Sequence, residues 1–320
     1  MTSKLDQLKS MTVVVADTGD MRMVEQFSPE DCTTNPTLIL RAAEQPDCAP
    51  VVEEAISFAK AKGGSIESQV GVAADRLAVS FGIQLASRVP GRVSTEVDAD
   101  LSFDTAKTVA KARAIIADYA ARGVSKERIL IKIASTWEGI KAAEILQKEG
   151  IATNLTLLFS PVQAAAAAEA GAYLISPFVG RILDWYKKST GQEYTAETDP
   201  GVLSVRTIFA YYKAHGYKTI VMGASFRNLG EIEALAGCDR LTIAPALLDQ
   251  LAKDEGKLTR ALDAEVAAKA AKPAKIATNE ASFRFALNED AMATEKLAEG
   301  IRLFAADLNK LRAMLRSKLA

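Results

Sequence analysis

Lys132 is the residue of this chain whose setting points most directly to chemistry. It interrupts the apolar run Ile129–Ala134, whose β-branched residues are typical of a buried parallel strand. Burial disfavours the ammonium form of lysine, and the neutral amine can then form a Schiff base with a ketone. On its own, the pattern fits better a structural lysine that reaches solvent or pairs with a carboxylate. The hypothesis therefore depends on the residues that accompany Lys132.

Polar side chains close most of the other predicted strands, and several of them suit Schiff-base chemistry. An iminium accepts the electrons of a breaking carbon–carbon bond, and carboxylates must move protons during its formation and use. Glu96 and Asp17 are available for those two tasks. The hydroxyl and amide groups that could hydrogen-bond the hydroxyls of a sugar are Asn35, Asn154, Thr156 and Ser176.

Two arginines follow predicted strand ends in loops that contain glycine or serine. Arg181 comes after Val179 and Gly180, and Arg227 comes two residues after Ser225. Arginine binds phosphate well because its planar group offers several parallel donors. Together with Lys132, these arginines favour a phosphorylated sugar as the substrate.

Eight apolar segments alternate with helix-length stretches and could position these residues. The predicted strands are Met11–Asp17, Asp31–Asn35, Arg92–Val97, Ile129–Ile133, Asn154–Leu158, Tyr173–Ser176, Thr219–Ala224 and Arg240–Ile243. The predicted helices include Thr105–Ala121, Trp137–Lys148 and Val202–His215, each followed closely by a glycine. Eight such repeats predict an α/β fold, a (β/α)8 TIM barrel, in which the carboxyl ends of all strands meet at one rim.

The remaining segments are predicted to decorate this barrel as parts of one domain, residues 1–320. The connection from Asn35 to Arg92 is long enough for two helices, and additional helices from about residue 245 should pack on the barrel. The Ala/Lys-rich stretch Ala261–Ala277 is expected to be a surface excursion with no assigned function. The nearly uncharged stretch 151–180 is interrupted by polar residues and prolines, which indicates a core segment and not a membrane span.

Composition excludes several other classes of function. With 39 Lys+Arg against 40 Asp+Glu, the chain has no charge excess to favour nucleic acid or an anionic membrane as a partner. The N-terminal residues lack the apolar region of a secretory signal, so a cytoplasmic protein is expected.

The cysteines and the histidine offer no metal or disulfide site. Cys32, Cys48 and Cys238 are far apart and form no CxxC pair. The one histidine, His215, precedes Gly216 at a predicted helix end, where the helix dipole explains it. We therefore expect neither a thiolate metal cluster nor a histidine-rich metal site.

Two long motifs resemble signatures of the transaldolase family, of the type with C-terminal helices. They are Asp31–Ile39 and the segment Ile129–Trp137, which in that family carries the Schiff-base lysine. Similar stretches surround Asp17, Glu96, Asn154, Ser176 and Ser225, in the same order as in the family. The resemblance runs from about Leu5 to the C-terminal helices.

The resemblance implies a role for each candidate residue. Lys132 would attack a ketose phosphate, sedoheptulose 7-phosphate or fructose 6-phosphate, and the dihydroxyacetone unit would pass to glyceraldehyde 3-phosphate or erythrose 4-phosphate in the non-oxidative pentose phosphate pathway. Glu96, with a water held by Thr156, would handle protons at the carbinolamine, and Asp17 would deprotonate the hydroxyl next to the cleaved bond. Asn35, Asn154 and Ser176 would hold the three-carbon unit, while Arg181, Arg227 and Ser225 would bind phosphate. The resemblance implies no metal and no organic cofactor, and the family is often homodimeric.

Two alternatives remain open at this stage. One is a lyase like fructose-6-phosphate aldolase, which releases free dihydroxyacetone. Those aldolases have tyrosine where this chain has Phe178, and a phenyl ring cannot position a water for protonation, which favours transfer. The other is a barrel that binds phosphosugars without turnover.

The chain departs from the family pattern at Phe159–Gln163, where proline follows Ser160. Proline is compatible with the first position of a helix after a serine cap, so no loss of activity is expected. The alanine run Ala164–Ala168 that follows should affect packing only.

Overall fold

Eight parallel strands form a closed barrel in the order β1-β2-β3-β4-β5-β6-β7-β8. The computed structural model describes residues 2–320, so Met1 of the predicted 1–320 domain lies outside the described residues. The strands are β1 Val13–Asp17, β2 Asp31–Thr33, β3 Val93–Glu96, β4 Ile129–Ala134, β5 Thr153–Leu158, β6 Leu174–Pro177, β7 Ile220–Gly223 and β8 Arg240–Ile243. The predicted (β/α)8 barrel is confirmed, with each predicted strand overlapping an observed one.

The register of the barrel brings three of the candidate residues side by side. Glu96 on β3 is paired with Lys132 on β4, and Lys132 is paired with Asn154 on β5. Side chains at the same level of neighbouring parallel strands point to the same face of the sheet. The pairing therefore places all three side chains on the same face of the barrel sheet.

Helices surround the barrel, and local signals define many of their ends. Within residues 2–320 the α-helices are α1 Lys4–Lys9, α2 Met21–Phe27, α3 Pro36–Ala43, α4 Ala49–Lys62, α5 Ile66–Ala86, α6 Thr105–Ala121, α7 Trp137–Lys148, α8 Pro161–Glu169, α9 Val179–Thr190, α10 Pro200–His215, α11 Leu229–Glu233, α12 Pro245–Lys253, α13 Ala264–Lys269, α14 Glu280–Glu289 and α15 Ala291–Leu319. The bounds predicted for α6 and α7 are confirmed, and α10 begins two residues earlier than predicted. None of these helices is long and apolar enough to cross a membrane.

The connection between β2 and β3 differs from its prediction. It holds three helices, α3, α4 and α5, where two were expected. The predicted strand Asp31–Asn35 ends at Thr33, because the Asn35 side chain caps α3 by accepting a hydrogen bond from the Leu38 amide (2.9 Å). Pro36 then occupies the first turn of that helix, where its missing N–H costs nothing.

The long C-terminal helix α15 lies over the end of the barrel that carries the candidate residues. Its buried Phe304 packs in one apolar cluster with Leu157 on β5 and with Phe159 and Phe178, which directly follow β5 and β6. Further along, its leucines pack against α3, α4 and α5. The burial of this apolar stripe is what holds the helix across the barrel mouth.

The segment 261–277 lies at the surface, as predicted, and most of its residues are exposed. It includes the short helix α13. His215 lies at the end of α10, before Gly216 with a φ of 73°, and its Nε2 is 3.0 Å from the Pro273 carbonyl oxygen. His215 therefore contacts the surface segment 261–277.

Candidate active site

Lys132 and Glu96 form a buried ion pair inside the barrel. Their side chains are 6% and 5% exposed, and Lys132 Nζ lies 3.3 Å from Glu96 Oε2. The same Nζ donates to the Thr34 carbonyl oxygen at 3.1 Å. Burial raises the pKa of Glu96, and the positive charge of Lys132 partly opposes that rise. Glu96 can therefore hold a proton more readily than an exposed carboxyl group.

Asp17, at the end of β1, is the second carboxyl group of the site. Thr33 Oγ1 donates to Asp17 Oδ1 at 2.9 Å and lies 2.7 Å from the hydroxyl of Thr242. Burial raises the pKa of Asp17, whereas the charges of Lys132 and Arg181 and the Thr33 hydrogen bond lower it. The Thr33 bond fixes one carboxylate oxygen and leaves the other for a substrate.

Thr156 has a hydroxyl group that the protein does not satisfy. It is fully buried on β5, and its Oγ1 has no hydrogen-bond partner among residues 2–320. Thr156 is paired with Ala134 on β4, two residues beyond Lys132. Buried hydroxyls are nearly always hydrogen-bonded, so this one is suited to a small polar molecule between the strands.

Asn154 and Ser176 are joined in a chain of buried hydrogen bonds. Ser176 Oγ donates to Asn154 Oδ1 at 2.6 Å, and Asn154 Nδ2 donates to Ser94 Oγ at 3.1 Å. Both ends of the Asn154 amide are thus held by protein groups. Ser94, which sequence reasoning did not single out, fixes the orientation of this amide.

A cavity opens above Lys132. Seven of the candidate residues line it, namely Asp17, Asn35, Lys132, Ser176, Phe178, Arg181 and Ser225. Thr33, Ala224, Thr242 and Phe304 complete the lining. Its mixed polar and apolar walls suit one small molecule.

Arg181 and Arg227 have different surroundings. The Arg181 guanidinium lies 4.9 Å from the Phe178 ring and 5.5 Å from the Phe304 ring, and its buried Nη1 has no hydrogen-bond partner within the described chain. Burial and the nearby charge of Arg227 lower the pKa of Arg181. Such a desolvated cation favours an anion beside it.

Arg227 is already engaged by a carboxylate. Its Nη2 lies 2.7 Å from Asp184 Oδ2, and its Nη1 donates to the Ser225 carbonyl oxygen at 3.2 Å and to Ser225 Oγ at 3.3 Å. Ser225 adopts a φ of 63°, a left-handed conformation that is uncommon for serine. Arg227 is therefore linked to the cavity by its hydrogen bonds to Ser225, and Ser225 is part of the cavity wall.

The loop between β5 and α8 follows the prediction made from its proline. Pro161 is in the first turn of α8, Ser160 is the N-cap, and Gln163 completes a capping box. Gln163 Nε2 also donates to the carbonyl oxygens of Ser135 (2.9 Å) and Leu157 (3.2 Å), which joins the β4 and β5 loops. Leu157 has a φ of 51° at a register shift between β5 and β6.

Sequence reasoning missed Thr33 and Phe304 in the cavity wall, and the sequence patterns that could have indicated them differ. Thr33 lies two residues after Asp31 on a strand, so alternation could have placed it in the barrel. Phe304 is 172 residues from Lys132 in the chain (304 − 132), and no local pattern marks it. Among residues 2–320, no group of three His, Cys, Asp or Glu side chains is arranged to hold a metal ion.

Comparison with known proteins adds to this geometry. Residues 14–315 match the family described as transaldolase/fructose-6-phosphate aldolase. The chain is 65% identical over 320 residues to a transaldolase of Rhizobium etli strain CIAT 652 and to one of Agrobacterium fabrum, with all of this chain and 98% of each relative covered. It is 60% identical over 319 residues to a transaldolase of Methylobacillus flagellatus, with both chains fully covered.

Proposed function

The chain belongs to the transaldolase/fructose-6-phosphate aldolase family and acts as a transaldolase, and we propose that Lys132 carries the reaction as a Schiff-base nucleophile. In that proposal a dihydroxyacetone unit moves from sedoheptulose 7-phosphate or fructose 6-phosphate to glyceraldehyde 3-phosphate or erythrose 4-phosphate. The observation that carries the proposal is the buried Lys132–Glu96 pair beneath a cavity that Asp17 also lines.

Formation of the Schiff base needs a proton donor next to Lys132. The neutral amine attacks the ketone carbon, and the carbinolamine oxygen leaves as water after it takes a proton. Glu96 suits this step because burial raises its pKa and its carboxylate lies 3.3 Å from Nζ. The unsatisfied hydroxyl of Thr156 supports its role in holding the reacting water.

Cleavage needs a base near the hydroxyl of the departing fragment. Asp17 takes that proton, the electrons of the carbon–carbon bond pass into the iminium, and an aldehyde leaves an enamine bound to Lys132. The hydrogen bond from Thr33 supports this assignment, since it orients the carboxylate without neutralising it. When the enamine attacks the acceptor aldehyde, Asp17 returns the proton to the oxygen of that aldehyde.

The remaining residues would position the substrate. The Asn35 side-chain oxygen caps α3, and its amide nitrogen has no acceptor among residues 2–320, while Ser176 lines the cavity wall. Asn154 supports Ser176 through their hydrogen bond. At the other end, the half-buried Arg181 would bind phosphate through its buried Nη1, with Ser225 and Arg227 beside it.

Phe178 supports transfer over release of free dihydroxyacetone. Its ring is buried against Phe159, with centroids 5.6 Å apart, and it forms part of the cavity wall. A hydroxyl at that position could hold a water that protonates the enamine, and the phenyl ring offers none. The enamine would then survive until an acceptor aldehyde arrives.

Borohydride reduction in the presence of fructose 6-phosphate tests the nucleophile. Peptide mass spectrometry should find the reduced adduct on Lys132, and Lys132→Met should abolish both the adduct and transfer to erythrose 4-phosphate. The exposed Lys188 offers a matched control, since Lys188→Met should change neither. An adduct on another lysine would overturn the assignment.

The homodimer and the cytoplasmic location are also part of this proposal. The homodimer derives from the resemblance to the family. Light scattering of the purified protein tests the first, and fractionation of cells tests the second.

A further inference from the structure

Two buried carboxyl groups lie under the loop that carries Ser225 and Arg227. Glu231, in the first turn of α11, is 0% exposed, and Asp199, the N-cap of α10, is 2% exposed. Neither takes part in the Schiff-base chemistry described above. Acidic side chains are rarely buried this completely without a partner, so their contacts call for an explanation.

Glu231 is bonded to the backbone of the loop. Its Oε2 accepts a hydrogen bond from the Arg227 amide at 2.5 Å, and its own amide donates to Asn228 Oδ1 at 3.0 Å. The first of these bonds reaches the main chain of the proposed phosphate ligand. It fixes the point from which the Arg227 side chain leaves the loop.

Asp199 lies beside Glu231 at the start of α10. One of its oxygens accepts from the amides of Gly201 (2.7 Å) and Val202 (3.2 Å), and the negative charge of its carboxyl group helps to raise the pKa of Glu231. Glu231 Oε1 has no hydrogen-bond partner among residues 2–320. Two neighbouring buried carboxylates repel each other, so the protonated form of one of them is favoured. Within residues 2–320, neither acid forms an ion pair, and the charged groups that face them are Lys187 on α9 and Arg227 on the loop.

The opposite side of the loop is fixed by the start of α9. The amide of Val179 donates to the Ala224 carbonyl oxygen at 2.8 Å, and that of Gly180 donates to the Ser225 carbonyl oxygen at 2.9 Å. A Cβ at Gly180 would lie 2.4 Å from the Ser225 oxygen, so only glycine permits this approach. The loop is thus held between α9 on one side and Glu231 on the other.

We propose that Glu231, with Asp199 beside it, is a positioning residue for phosphate recognition, because it holds the Arg227 backbone where Ser225 lines the cavity and the arginine lies next to Ser225. This inference rests on the proposed phosphate-binding role of Arg181, Ser225 and Arg227. It assigns Glu231 to binding of the phosphate group and not to the chemistry at Lys132. A helix cap without such a role would affect only stability.

The test compares a phosphate probe with a substrate that lacks phosphate. Glu231→Met keeps the length of the side chain but leaves the Arg227 amide unpaired, and Glu231→Gln keeps an acceptor for it. The inhibition constant of inorganic phosphate against fructose 6-phosphate and the KM of fructose 6-phosphate should both rise on the order of tenfold in Glu231→Met. The rate of borohydride trapping with dihydroxyacetone should stay unchanged.

Two further variants complete the experiment. Glu231→Gln should have the same inhibition constant for phosphate as the wild-type protein. Asp31→Asn is the matched control. Asp31 is also buried, and its carboxylate accepts a hydrogen bond from the Arg92 amide at 2.7 Å. It lies at the start of β2, which is the end of the barrel far from the cavity. Asp31→Asn should lower the unfolding temperature without changing KM.

The outcomes separate this inference from the proposed function. Equal losses for phosphate binding and dihydroxyacetone trapping, or no change in either, would overturn the positioning role. The same holds if Glu231→Gln is as impaired as Glu231→Met, or if Asp31→Asn raises KM equally. A wild-type protein that forms no borohydride adduct would instead overturn the Schiff-base proposal.

Discussion

Replacement of Thr156 by valine should separate catalysis from stability. The Thr156 hydroxyl is fully buried and has no hydrogen-bond partner in residues 2–320, and valine has nearly the same shape. A buried, unsatisfied polar group costs about 1–3 kcal/mol, and water can recover part of that cost. The free energy of unfolding of Thr156→Val should therefore stay unchanged or increase by up to about 1 kcal/mol.

The effect on turnover should have the opposite sign. If Thr156 holds the water that Glu96 protonates or deprotonates, the variant loses a hydrogen bond in a charged network, worth about 1.5–3 kcal/mol. This corresponds to a decrease in kcat of about 10- to 150-fold. A coupled assay that follows transfer from fructose 6-phosphate to erythrose 4-phosphate measures kcat, and urea unfolding measures stability.

Thr153 provides the matched control on the same strand. It is equally buried, but its hydroxyl donates to Gln147 Oε1 at 3.1 Å, on the side of β5 that faces α7. Thr153→Val should lose about 1 kcal/mol of stability and keep the wild-type kcat. The reasoning would be refuted if Thr156→Val turned over at the wild-type rate, or if the two variants lost the same stability.

Three more predictions follow from the structure. Phe178→Tyr should raise the release of free dihydroxyacetone measured without an acceptor, because its hydroxyl could hold a water near the enamine; unchanged release would contradict this. Burial raises the pKa of Glu231 to about 7, so the folded protein keeps a proton that the unfolded chain loses near its ordinary pKa, and this favours folding at low pH. Stability should therefore fall by about 2–3 kcal/mol between about pH 5 and pH 7, and urea titrations of Glu231→Gln should show a smaller fall. Gly300→Ala should cost about 1–3 kcal/mol, since its Cβ would lie 2.6 Å from Leu157 Cδ2, whereas Gly71→Ala, with nothing within 4 Å in α5, should stabilise by about 0.5–1 kcal/mol in thermal unfolding.

The sequence alone was sufficient to predict the barrel and to place Lys132, Glu96 and Asp17 together. The apolar run around Lys132 and the alternation of strands and helices are local patterns, and closure of eight parallel strands must bring their carboxyl ends together. Local chemistry also set several boundaries, such as Thr136 at the start of α7, whose side chain caps the helix. Glu96 and Asp17 were therefore placed with Lys132 correctly, although their catalytic roles stay predictions.

Only the tertiary structure decided which groups each side chain meets. Thr33 bonds Asp17, Asp184 engages Arg227, and Phe304 closes the cavity from α15, all through residues distant from their partners in the chain. The count of helices between β2 and β3 was also beyond the sequence pattern, since a long connection can be divided in several ways. Local propensity and periodicity fix where elements begin and which face is apolar, but contacts between distant residues depend on how those faces pack.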